Sequence, residues 1–385
     1  MANTAIAFIM RELFGNGRPR KATEDSFETM GTTCTKKQKV EDAEAEAARV
    51  VSAICCRDAA SLPVAVPVSF SDDSSRSDSD SDCNDSSAII FGCCRGSNID
   101  VKQRYRISSR VIGTGIHGSV RKCYDRRTGE RCAVKSIRKD HPAVRPDALR
   151  REISLLQEMR HGNIIPLRDV FEDADYIHIV TDLCEGGELF ERIIERSGDK
   201  TVEGCFAEDE ASRIIYQVLT AVRYLHEHRI VHRDIKPENI LFDSSDGDSV
   251  KLIDFGLARR WGEGDAPMSR VVGTPYYIDP NVLRKNYTRS CDLWSVGIVA
   301  YILIAGHPPF NKMDVSAIHR AVLKGRYRFA SKDWKHTTKE SRDFVRRLLQ
   351  ADSVGRMTVD EALAHPWITR HNSEQLNTRG GSTGA

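Results

Sequence analysis

The chain has 385 residues, with 57 Lys and Arg against 55 Asp and Glu, a net charge of +2. This balance gives no indication of a nucleic-acid-binding protein, which would carry a strong basic excess. No apolar run approaches the roughly 18 residues of a membrane-spanning helix, so we expect no membrane span. The odd number of cysteines, 11, and the lack of zinc-ligand spacing favour reduced thiols. We therefore expect a cytoplasmic protein, with the nucleus as the other location.

Residues 1–100 lack the pattern of a folded domain. Between residues 71 and 87 there are eight Ser and six Asp, and no large apolar side chain. Such a segment cannot bury enough surface to offset the entropy lost on ordering, so we predict that the region 1–100 is disordered. Composition leaves two interpretations of this Ser/Asp-rich segment open, a multisite target for acid-directed kinases and a solvated spacer.

A strand pattern begins at Tyr105 and contains the run Gly113-Thr114-Gly115-Ile116-His117-Gly118-Ser119-Val120. A dinucleotide-binding loop of this type would open a helix, whereas the residues after Val120 continue as a strand. The pattern therefore favours a β-hairpin over nucleotide phosphates, because missing side chains let backbone N–H groups approach them. On the predicted third strand, Lys135 supplies an amine suited to the α- and β-phosphates.

The apolar spacing that follows predicts a helix over 147–159, whose buried face comprises Leu149, Ile153, Leu156 and Met159. Glu152 in this helix is the expected partner of Lys135, and a solvated helix Glu is the alternative. Further patterns indicate a strand over 176–183 and helices over 211–226 and 291–304.

The residues suited to chemistry are concentrated in His232-Arg233-Asp234-Ile235-Lys236-Pro237-Glu238-Asn239 and, fifteen residues later, in Asp254-Phe255-Gly256. Phosphoryl transfer needs an acceptor for the proton of the attacking hydroxyl and oxygen ligands for a divalent cation on the nucleotide. Asp234 fits the first requirement, while Asn239 and Asp254 fit the second. Ligands that are all oxygen suit Mg²⁺, or Mn²⁺ in its place.

These motifs, in order from Tyr105 to Trp367, resemble the eukaryotic protein kinases. Lys236 is the serine/threonine pattern, and the runs at 186–193, 306–310 and 364–367 resemble the calcium/calmodulin-dependent group. The resemblance implies an α+β, bilobal fold whose substrates are ATP and the Ser or Thr residues of proteins. Its expected parts are a β-rich N-lobe over 105–183, a helical C-lobe over 189–367 and a short flexible tail over 368–385.

The resemblance also implies roles for individual residues. Asp234 would accept the proton of the substrate hydroxyl, Lys236 would neutralise the migrating phosphoryl group, and Lys135, fixed by Glu152, would bind ATP. Asp292 would brace the backbone of the catalytic loop. The implied ATP site contains Ile112, Gly113, Gly115, Gly118, Val120, Ala133, Lys135, Thr181, Asp182, Cys184, Glu188 and Leu241.

Substrate choice is implied by two acidic residues. Glu188 and Glu238 match positions that receive an Arg three residues before the target in basophilic kinases, and a structural role for both is the alternative. Protein substrates and an upstream kinase are therefore the expected partners.

Regulation departs from the family pattern. The acidic run 243–248 has its glycine fifth and no Glu at position twelve, and the tail lacks a basic amphipathic helix, so we expect neither Ca²⁺ nor calmodulin to bind directly. Arg270 occupies the position that often carries the phosphoacceptor. Phosphorylated Ser269 is the predicted partner of Arg233, and the alternatives are that Glu263 or Asp265 balances it or that nothing does.

The loop from Asp254-Phe255-Gly256 to Asp279-Pro280-Asn281 is the activation segment of the family pattern, and its end also departs from that pattern. Asn281 stands where relatives have a Glu that pairs with an Arg matching Arg356. We expect Asn281 to leave Arg356 without an acidic partner, and Asp279, two residues upstream, is the alternative partner.

Two other classes of function remain in view. One is a pseudokinase, in which the same fold serves as a scaffold or an allosteric partner. The other is an interaction protein whose N-terminal region carries the function.

Overall fold

The computed structural model describes residues 100–115, 118–142, 144–197, 205–312 and 314–372. The predicted disorder of residues 1–99 lies outside the described residues, as do residues 373–385 of the predicted tail. The first residues of the predicted tail are not flexible. They belong to a helix that ends at His371, and Ile368 in that helix is fully buried.

The N-lobe is a five-stranded antiparallel sheet in the order β1-β2-β3-β5-β4. Its strands are β1 (Tyr105–Gly115), β2 (Gly118–Asp125), β3 (Arg131–Arg138), β4 (Leu167–Glu172) and β5 (Tyr176–Asp182). A short helix α1 (Val101–Arg104) precedes β1. In β3 the side chains of Cys132 and Val134 are fully buried while those of Ala133 and Lys135 are half-buried. Because side chains of a strand alternate between faces, one face of the sheet forms a core and the other stays accessible.

Helix α2 (Pro146–Glu158) packs against this sheet. It begins with Pro146, which favours the first helical turn, and it ends before Met159. The predicted helix over 147–159 is confirmed to within one residue at each end, and the four apolar residues of its predicted face are buried. Glu152 lies on this helix close to the face that meets the sheet.

The C-lobe is helical and contains most of the buried apolar side chains of the described chain. Its helices are α3 (Leu189–Ser197), α4 (Glu208–Glu227), α5 (Pro280–Leu283), α6 (Ser290–Ala305), α7 (Val315–Lys324), α8 (Ser331–Trp334), α9 (Lys339–Leu348), α10 (Val359–Leu363) and α11 (Pro366–His371). Helix α6 is buried from Cys291 to its end, in agreement with its largely apolar sequence. Gly306 terminates it with φ of 74°, a left-handed conformation that glycine adopts without strain.

Short strands hold the loops on the C-lobe surface that faces the sheet. Strand β6 (Ile230–Val231) pairs with β9 (Arg259–Arg260), and β7 (Ile240–Phe242) forms a hairpin with β8 (Val250–Leu252). This hairpin encloses the acidic run 243–248. The combination of a β-rich lobe and a helical lobe confirms the predicted α+β class. Among the helices of the described residues, none is long and apolar enough to cross a membrane.

Candidate active site

The loop that follows β6 is held by a buried carboxylate. Asp292, at the start of α6, accepts hydrogen bonds from the backbone N–H groups of His232, at 3.0 Å, and Arg233, at 2.8 Å. His226 contacts the same carboxylate at 2.9 Å. Although burial opposes its ionisation, the hydrogen bond and charge of His226 lower the pKa of Asp292. Arg233 has φ of 69°, so Asp292 stabilises a backbone bend that side chains rarely adopt.

Asp234 lies at the end of this bend, and each of its carboxylate oxygens has defined partners. Oδ2 is 2.8 Å from Lys236 Nζ and 3.2 Å from Asn239 Nδ2. Oδ1 accepts hydrogen bonds from the backbone N–H of Thr274, at 3.1 Å, and from its hydroxyl, at 2.9 Å. Lys236 also donates to the Thr274 hydroxyl at 3.0 Å. The site therefore brings together Asp234, Lys236 and Asn239, and adds Thr274 from 40 residues along the chain.

Hydrogen bonds fix the positions of the two predicted metal ligands, Asn239 and Asp254. The side-chain nitrogen of Asn239 donates to Asp234, which leaves the side-chain oxygen of Asn239 available to a cation. The backbone N–H of Ile253 donates to the carbonyl of Asn239 at 2.9 Å, which fixes Asp254 next to that residue in space. Burial opposes the ionisation of Asp254, but the charge of Lys135 and the N–H of Gly256 lower its pKa. An ionised carboxylate beside an amide oxygen fits a hard divalent cation such as Mg²⁺.

Lys135 and Glu152 face each other across the cleft between β3 and α2. The lysine Nζ lies 3.8 Å from Glu152 Oε1, so the two form an ion pair that is longer than a hydrogen bond. Burial raises the pKa of Glu152, the charge of Lys135 lowers it, and the charge of Asp254 raises it. Lys135 therefore lies between two carboxylates, one on α2 and one after β8.

The remaining residues of the predicted ATP site share one face of the N-lobe sheet. Val120 is the β2 partner of Lys135, and Ala133 is the β3 partner of Thr181. Because Ala133 and Lys135 are two residues apart on β3, all four side chains lie on the same face. That face is half-buried, and Leu241 on β7 is the half-buried C-lobe residue expected opposite to it. An apolar face bordered by an amine fits the base and phosphates of a nucleotide.

The glycine-rich hairpin has one position that excludes any side chain. A Cβ on Gly118 would lie 2.0 Å from the backbone oxygen of Ser136. Gly113 and Gly115 pair with Val120 and Gly118 across the hairpin, whose tip at 116–117 lies outside the described residues. Ile112 on β1 is 40% exposed.

The segment after β5 is held against the β7–β8 hairpin. The N–H groups of Glu185 and Gly186 donate to Asp243 and Phe242 at 3.0 Å. Gly186 has no room for a side chain, since a Cβ would lie 2.2 Å from the backbone oxygen of Ser244. Half-buried Cys184 and Asp182 flank the start of this segment, and the Asp182 carboxylate forms an ion pair with Arg168. This connection joins the two lobes at the edge of the nucleotide face.

The two acids predicted to select substrates form no ion pair within the described residues. Both carboxylate oxygens of Glu238 are buried and lack a hydrogen-bond partner within the described chain. Burial raises the pKa of Glu238. Burial, with the charges of Glu191 and Glu238, raises the pKa of Glu188 to about 7, against the lowering effect of Lys236. Two desolvated carboxylates near each other are destabilising unless a cation joins them.

The activation segment gives Arg233 no acidic partner among the described residues. Its Nε donates to the carbonyl of Leu257 at 2.7 Å, and its NH1 to the hydroxyl of Tyr287 at 3.2 Å. Glu263 forms an ion pair with Arg289 at 2.6 Å, and Asp265 accepts the N–H of Gly262 at 2.8 Å. The alternative that Glu263 or Asp265 balances Arg233 is therefore wrong. Ser269 and Arg270 are both exposed.

The expectation that Arg356 lacks an acidic partner is also wrong. Its NH1 forms an ion pair with Asp279 Oδ2, and both side chains are almost fully buried. Arg356 also donates two hydrogen bonds of 2.8 Å, from NH1 to the carbonyl of Ser290 and from NH2 to the carbonyl of Gln350. Asn281 points elsewhere and donates to the carbonyl of Ala351 at 3.2 Å.

Asp279 reaches Arg356 because it caps α5. Its Oδ1 accepts the N–H of Asn281 at the first turn, and this contact turns Oδ2 inward. Asp279, the residue before Pro280, is therefore the acidic partner of Arg356, which was the alternative to our expectation.

One residue at the site was missed from the sequence, namely Thr274, which follows Gly273 in the activation segment. A Thr near the end of that segment was the available signal. Its contact does not follow from local sequence, because Thr274 meets Asp234 only when the activation segment folds back over the catalytic loop.

The matches to known proteins agree with this geometry. Residues 106–368 match the family model described as "Protein kinase domain", which is more than half of the chain. The chain belongs to the protein kinase family. Calcium-dependent protein kinase 3 of Plasmodium berghei is 40% identical over 267 residues, which cover 69% of this chain and 47% of the relative.

A second relative extends the match. Calcium-dependent protein kinase 5 of Plasmodium falciparum is 37% identical over 295 residues, covering 76% of this chain and 50% of the relative. Both relatives are named calcium-dependent protein kinases, so this chain is similar to protein kinases of that kind. The chain spans about half the length of the curated relatives it matches.

Proposed function

We propose that the chain is a protein kinase that transfers the γ-phosphoryl group of Mg·ATP to Ser or Thr residues of proteins. The observation that carries this proposal is the Asp234 carboxylate, which lies 2.8 Å from Lys236 and accepts two hydrogen bonds from Thr274. A carboxylate held on both oxygens, at an open cleft, is positioned to orient a hydroxyl and accept its proton. No pseudokinase role requires that arrangement.

In this proposal, different residues of the chain have different roles in the reaction. When bound, Mg·ATP supplies the phosphoryl group, and Asn239 and Asp254 would hold its metal ion. Lys135, between Glu152 and Asp254, would hold the phosphates in line with Asp234. Lys236 Nζ, shared between Asp234 and Thr274, is placed to neutralise charge that develops on the transferred group.

The substrate is proposed to carry Arg three residues before the phosphorylated Ser or Thr. Glu238 has two buried oxygens with no partner in the described chain, and Glu188 is near enough for the charge of Glu238 to raise its pKa. A guanidinium is a planar, permanently charged group that two carboxylates can hold together. A bound Arg would remove the desolvation penalty that each acid has in its absence.

The catalytic unit is proposed to be residues 105–367, and its activity is proposed to need neither Ca²⁺ nor calmodulin. The run 243–248, the one acidic loop we considered for calcium, is the turn of the β7–β8 hairpin. The two relatives are named calcium-dependent, and we do not assign that property to this chain.

A kinase assay on the full chain with Mg·ATP and an Arg-containing Ser peptide tests the function. Asp234→Asn should lower kcat by roughly 10²–10⁴-fold, the usual contribution of a general base, with ATP affinity nearly unchanged. Lys135→Met should weaken both. Asp246→Asn, on the exposed hairpin turn, is the matched control and should retain full activity.

Two results would contradict the proposal. A chain that binds ATP but shows no turnover with any peptide would be a pseudokinase. Near-normal kcat in Asp234→Asn would mean that Asp234 is not the base.

A further inference from the structure

The substrate preference proposed above can be applied to the Ser and Thr residues of the chain itself. Among the residues that the structure describes, three have Arg three positions earlier, namely Ser109 after Arg106, Ser154 after Arg151 and Ser331 after Arg328. An acceptor must enter the cleft between the lobes, so a segment that is held within the fold has to be released first, at a cost in free energy. The local structure therefore separates the three candidates.

Ser154 and Ser331 belong to segments that the fold holds. Ser154 lies within α2, together with the Arg three positions before it, so its backbone is bonded along the helix. Ser331 is the first residue of α8, and Phe329, just before it, packs against the buried Trp334 with ring centroids 4.6 Å apart. Reaching an active site would require α2 to unwind or this aromatic contact to open.

Ser109 lies in a stretch of β1 that has no strand partner. β1 is the edge strand of the N-lobe sheet, and its register with β2 is interrupted between Ile107 and Val111. Within this stretch the N–H of Arg110 donates to the side-chain oxygen of Ser108 at 3.2 Å. Residues 108–110 therefore have no register partner on either side of β1 within the described chain. An unpaired edge of this kind is open to contact with another molecule.

The side chains of this stretch are also accessible. Ser109 and Arg106 are both exposed, and the Ser109 hydroxyl has no hydrogen-bond partner among the described residues. The Arg106 guanidinium lies 4.8 Å from the centroid of the Tyr124 ring and forms no ion pair in that part of the chain. An available hydroxyl thus follows an available guanidinium by three positions, which is the arrangement that the acids Glu188 and Glu238 are proposed to select.

We propose that Ser109 is a phosphorylation site and that a second copy of this chain phosphorylates it. The proposal rests on the proposed function, because it uses the preference for Arg at −3. The Ser109 oxygen attacks the γ-phosphorus of ATP, the bond from that phosphorus to ADP breaks, and the hydroxyl proton passes to Asp234 of the copy that acts as the enzyme. The products are phosphoserine and ADP.

The position of β1 explains why a second copy is needed. The strand continues from Ser109 into Ile112 and Gly113, which belong to the predicted ATP site of the same copy. Ser109 therefore cannot enter the cleft of its own copy while that strand covers the nucleotide.

The surroundings of Ser109 suit the product as well as the reaction. A phosphoserine carries a charge of about −1.5 to −2 at neutral pH, which is stabilised by nearby arginines. Arg110 is the next residue of the strand, is exposed and, like Arg106, forms no ion pair within the described residues. The phosphate would therefore gain cationic neighbours without breaking an existing ion pair.

The test uses the full chain in two roles. The substrate is an isotope-labelled D234N variant, which lacks the proposed base, and the enzyme is the unlabelled, unchanged chain with Mg·ATP. Mass spectrometry then measures the phosphate at each Ser of the labelled copy. Phosphate should accumulate on Ser109, at an initial rate proportional to the enzyme concentration. In the labelled variant D234N/R106Q this rate should fall roughly tenfold or more, because a charge-assisted contact is lost.

Two further labelled variants serve as controls. D234N/R328Q removes an exposed Arg from the segment before Ser331 and should leave the rate at Ser109 unchanged. D234N/R106K keeps a cation beside Tyr124 but lacks the planar guanidinium, so the rate should fall roughly threefold or more. This variant keeps the test decisive if R106Q impairs folding.

The Arg-containing Ser peptide, phosphorylated by the same enzyme, separates this proposal from the proposed function. If the peptide is phosphorylated and Ser109 is not, or if the R106Q and R328Q substrates react equally at Ser109, this proposal is wrong and the proposed function stands. Faster phosphorylation of Ser154 or Ser331 than of Ser109 would also overturn it. If neither the peptide nor the labelled copy is phosphorylated, the proposed function is wrong, and this proposal is wrong with it.

Discussion

The kinase domain contains two kinds of charged site, and they differ in whether the fold supplies the partner. Asp279 and Arg356 are buried together, and Arg356 is further bonded to two carbonyls. Glu188 and Glu238 are also desolvated and their charges act on each other, yet neither forms an ion pair within the described residues, where Lys236 is the cation that influences both. A buried charge without a partner lowers stability, so its persistence indicates a ligand, whereas a complete pair indicates a structural role.

The same contrast holds along the activation segment. Its end is anchored within the protein by Asp279. Near its start, the Arg233 side chain of the catalytic loop has a carbonyl and a hydroxyl as its acceptors among the described residues. Changes at paired residues should therefore reduce stability. Changes at unpaired residues should alter binding and leave stability intact.

The largest effect is expected from Asp279→Ala, which leaves Arg356 buried and without a counter-charge. Loss of one member of such a pair costs about 3–5 kcal/mol. At about 2–4 °C per kcal/mol, Tm should fall by roughly 6–20 °C in thermal unfolding. Asp360→Ala, at an exposed position of α10, is the control and should change Tm little. A fall of less than about 3 °C for Asp279→Ala would show that the pair is not structural.

The next largest effect concerns pH. Because the pKa of Glu188 is raised to about 7, this carboxylate is mostly protonated at pH 6 and mostly ionised at pH 8. An Arg binds the ionised form, so kcat/KM for a peptide with Arg at −3 should rise about tenfold over that range. The same kcat/KM is measured for an otherwise identical peptide with Ala at −3. The ratio of the two values separates the ionisation of Glu188 from that of other groups that titrate. A ratio independent of pH would exclude Glu188 as a binding group.

A smaller effect is expected from Ser269→Ala. When the variant and the unchanged enzyme have both been exposed to the same phosphorylating conditions, the variant should show a several-fold lower kcat. A phosphate at Ser269 would supply the anion that Arg233 lacks among the described residues, and Ala cannot accept it. Tm of the unphosphorylated variant should be unchanged, because Ser269 is exposed. Equal activity of the two phosphorylated enzymes would refute this mechanism.

The smallest effect is expected from Asn281→Glu. Because Asp279 already pairs with Arg356, a new carboxylate has no free guanidinium to join, and the free energy of unfolding should change by less than about 0.5 kcal/mol. A rise in Tm of several degrees would mean that the pair with Asp279 is incomplete in solution.

Local sequence predicted the elements with strong periodicity. Helix α2 was placed to within one residue, and α6 was recognised as a helix over 291–304 from its largely apolar sequence, in which Asp292 is the one charged residue. The catalytic loop could also be interpreted from its residues, since Asp234, Lys236 and Asn239 lie within six positions of one another and meet around one carboxylate.

Contacts between distant segments were beyond the same reasoning. Asp279 and Arg356 are 77 positions apart, and their contact depends on the direction that a four-residue helix gives its capping side chain. A two-residue shift across Pro280 was expected to break the pairing. The cap on the N–H of Asn281 instead turns the carboxylate inward, a detail of φ and ψ that composition and spacing do not specify.

The most direct test of the account is the double variant Glu188→Gln/Glu238→Gln, measured for both peptide selectivity and Tm. Charge-assisted hydrogen bonds contribute about 1.5–3 kcal/mol each, so the loss of two should lower the preference for Arg over Ala at −3 by roughly 100-fold or more. Tm should stay the same or rise, because two desolvated charges are removed. Unchanged selectivity, or a Tm lowered by several degrees, would contradict the claim that the fold leaves these charges unpaired in order to bind substrate.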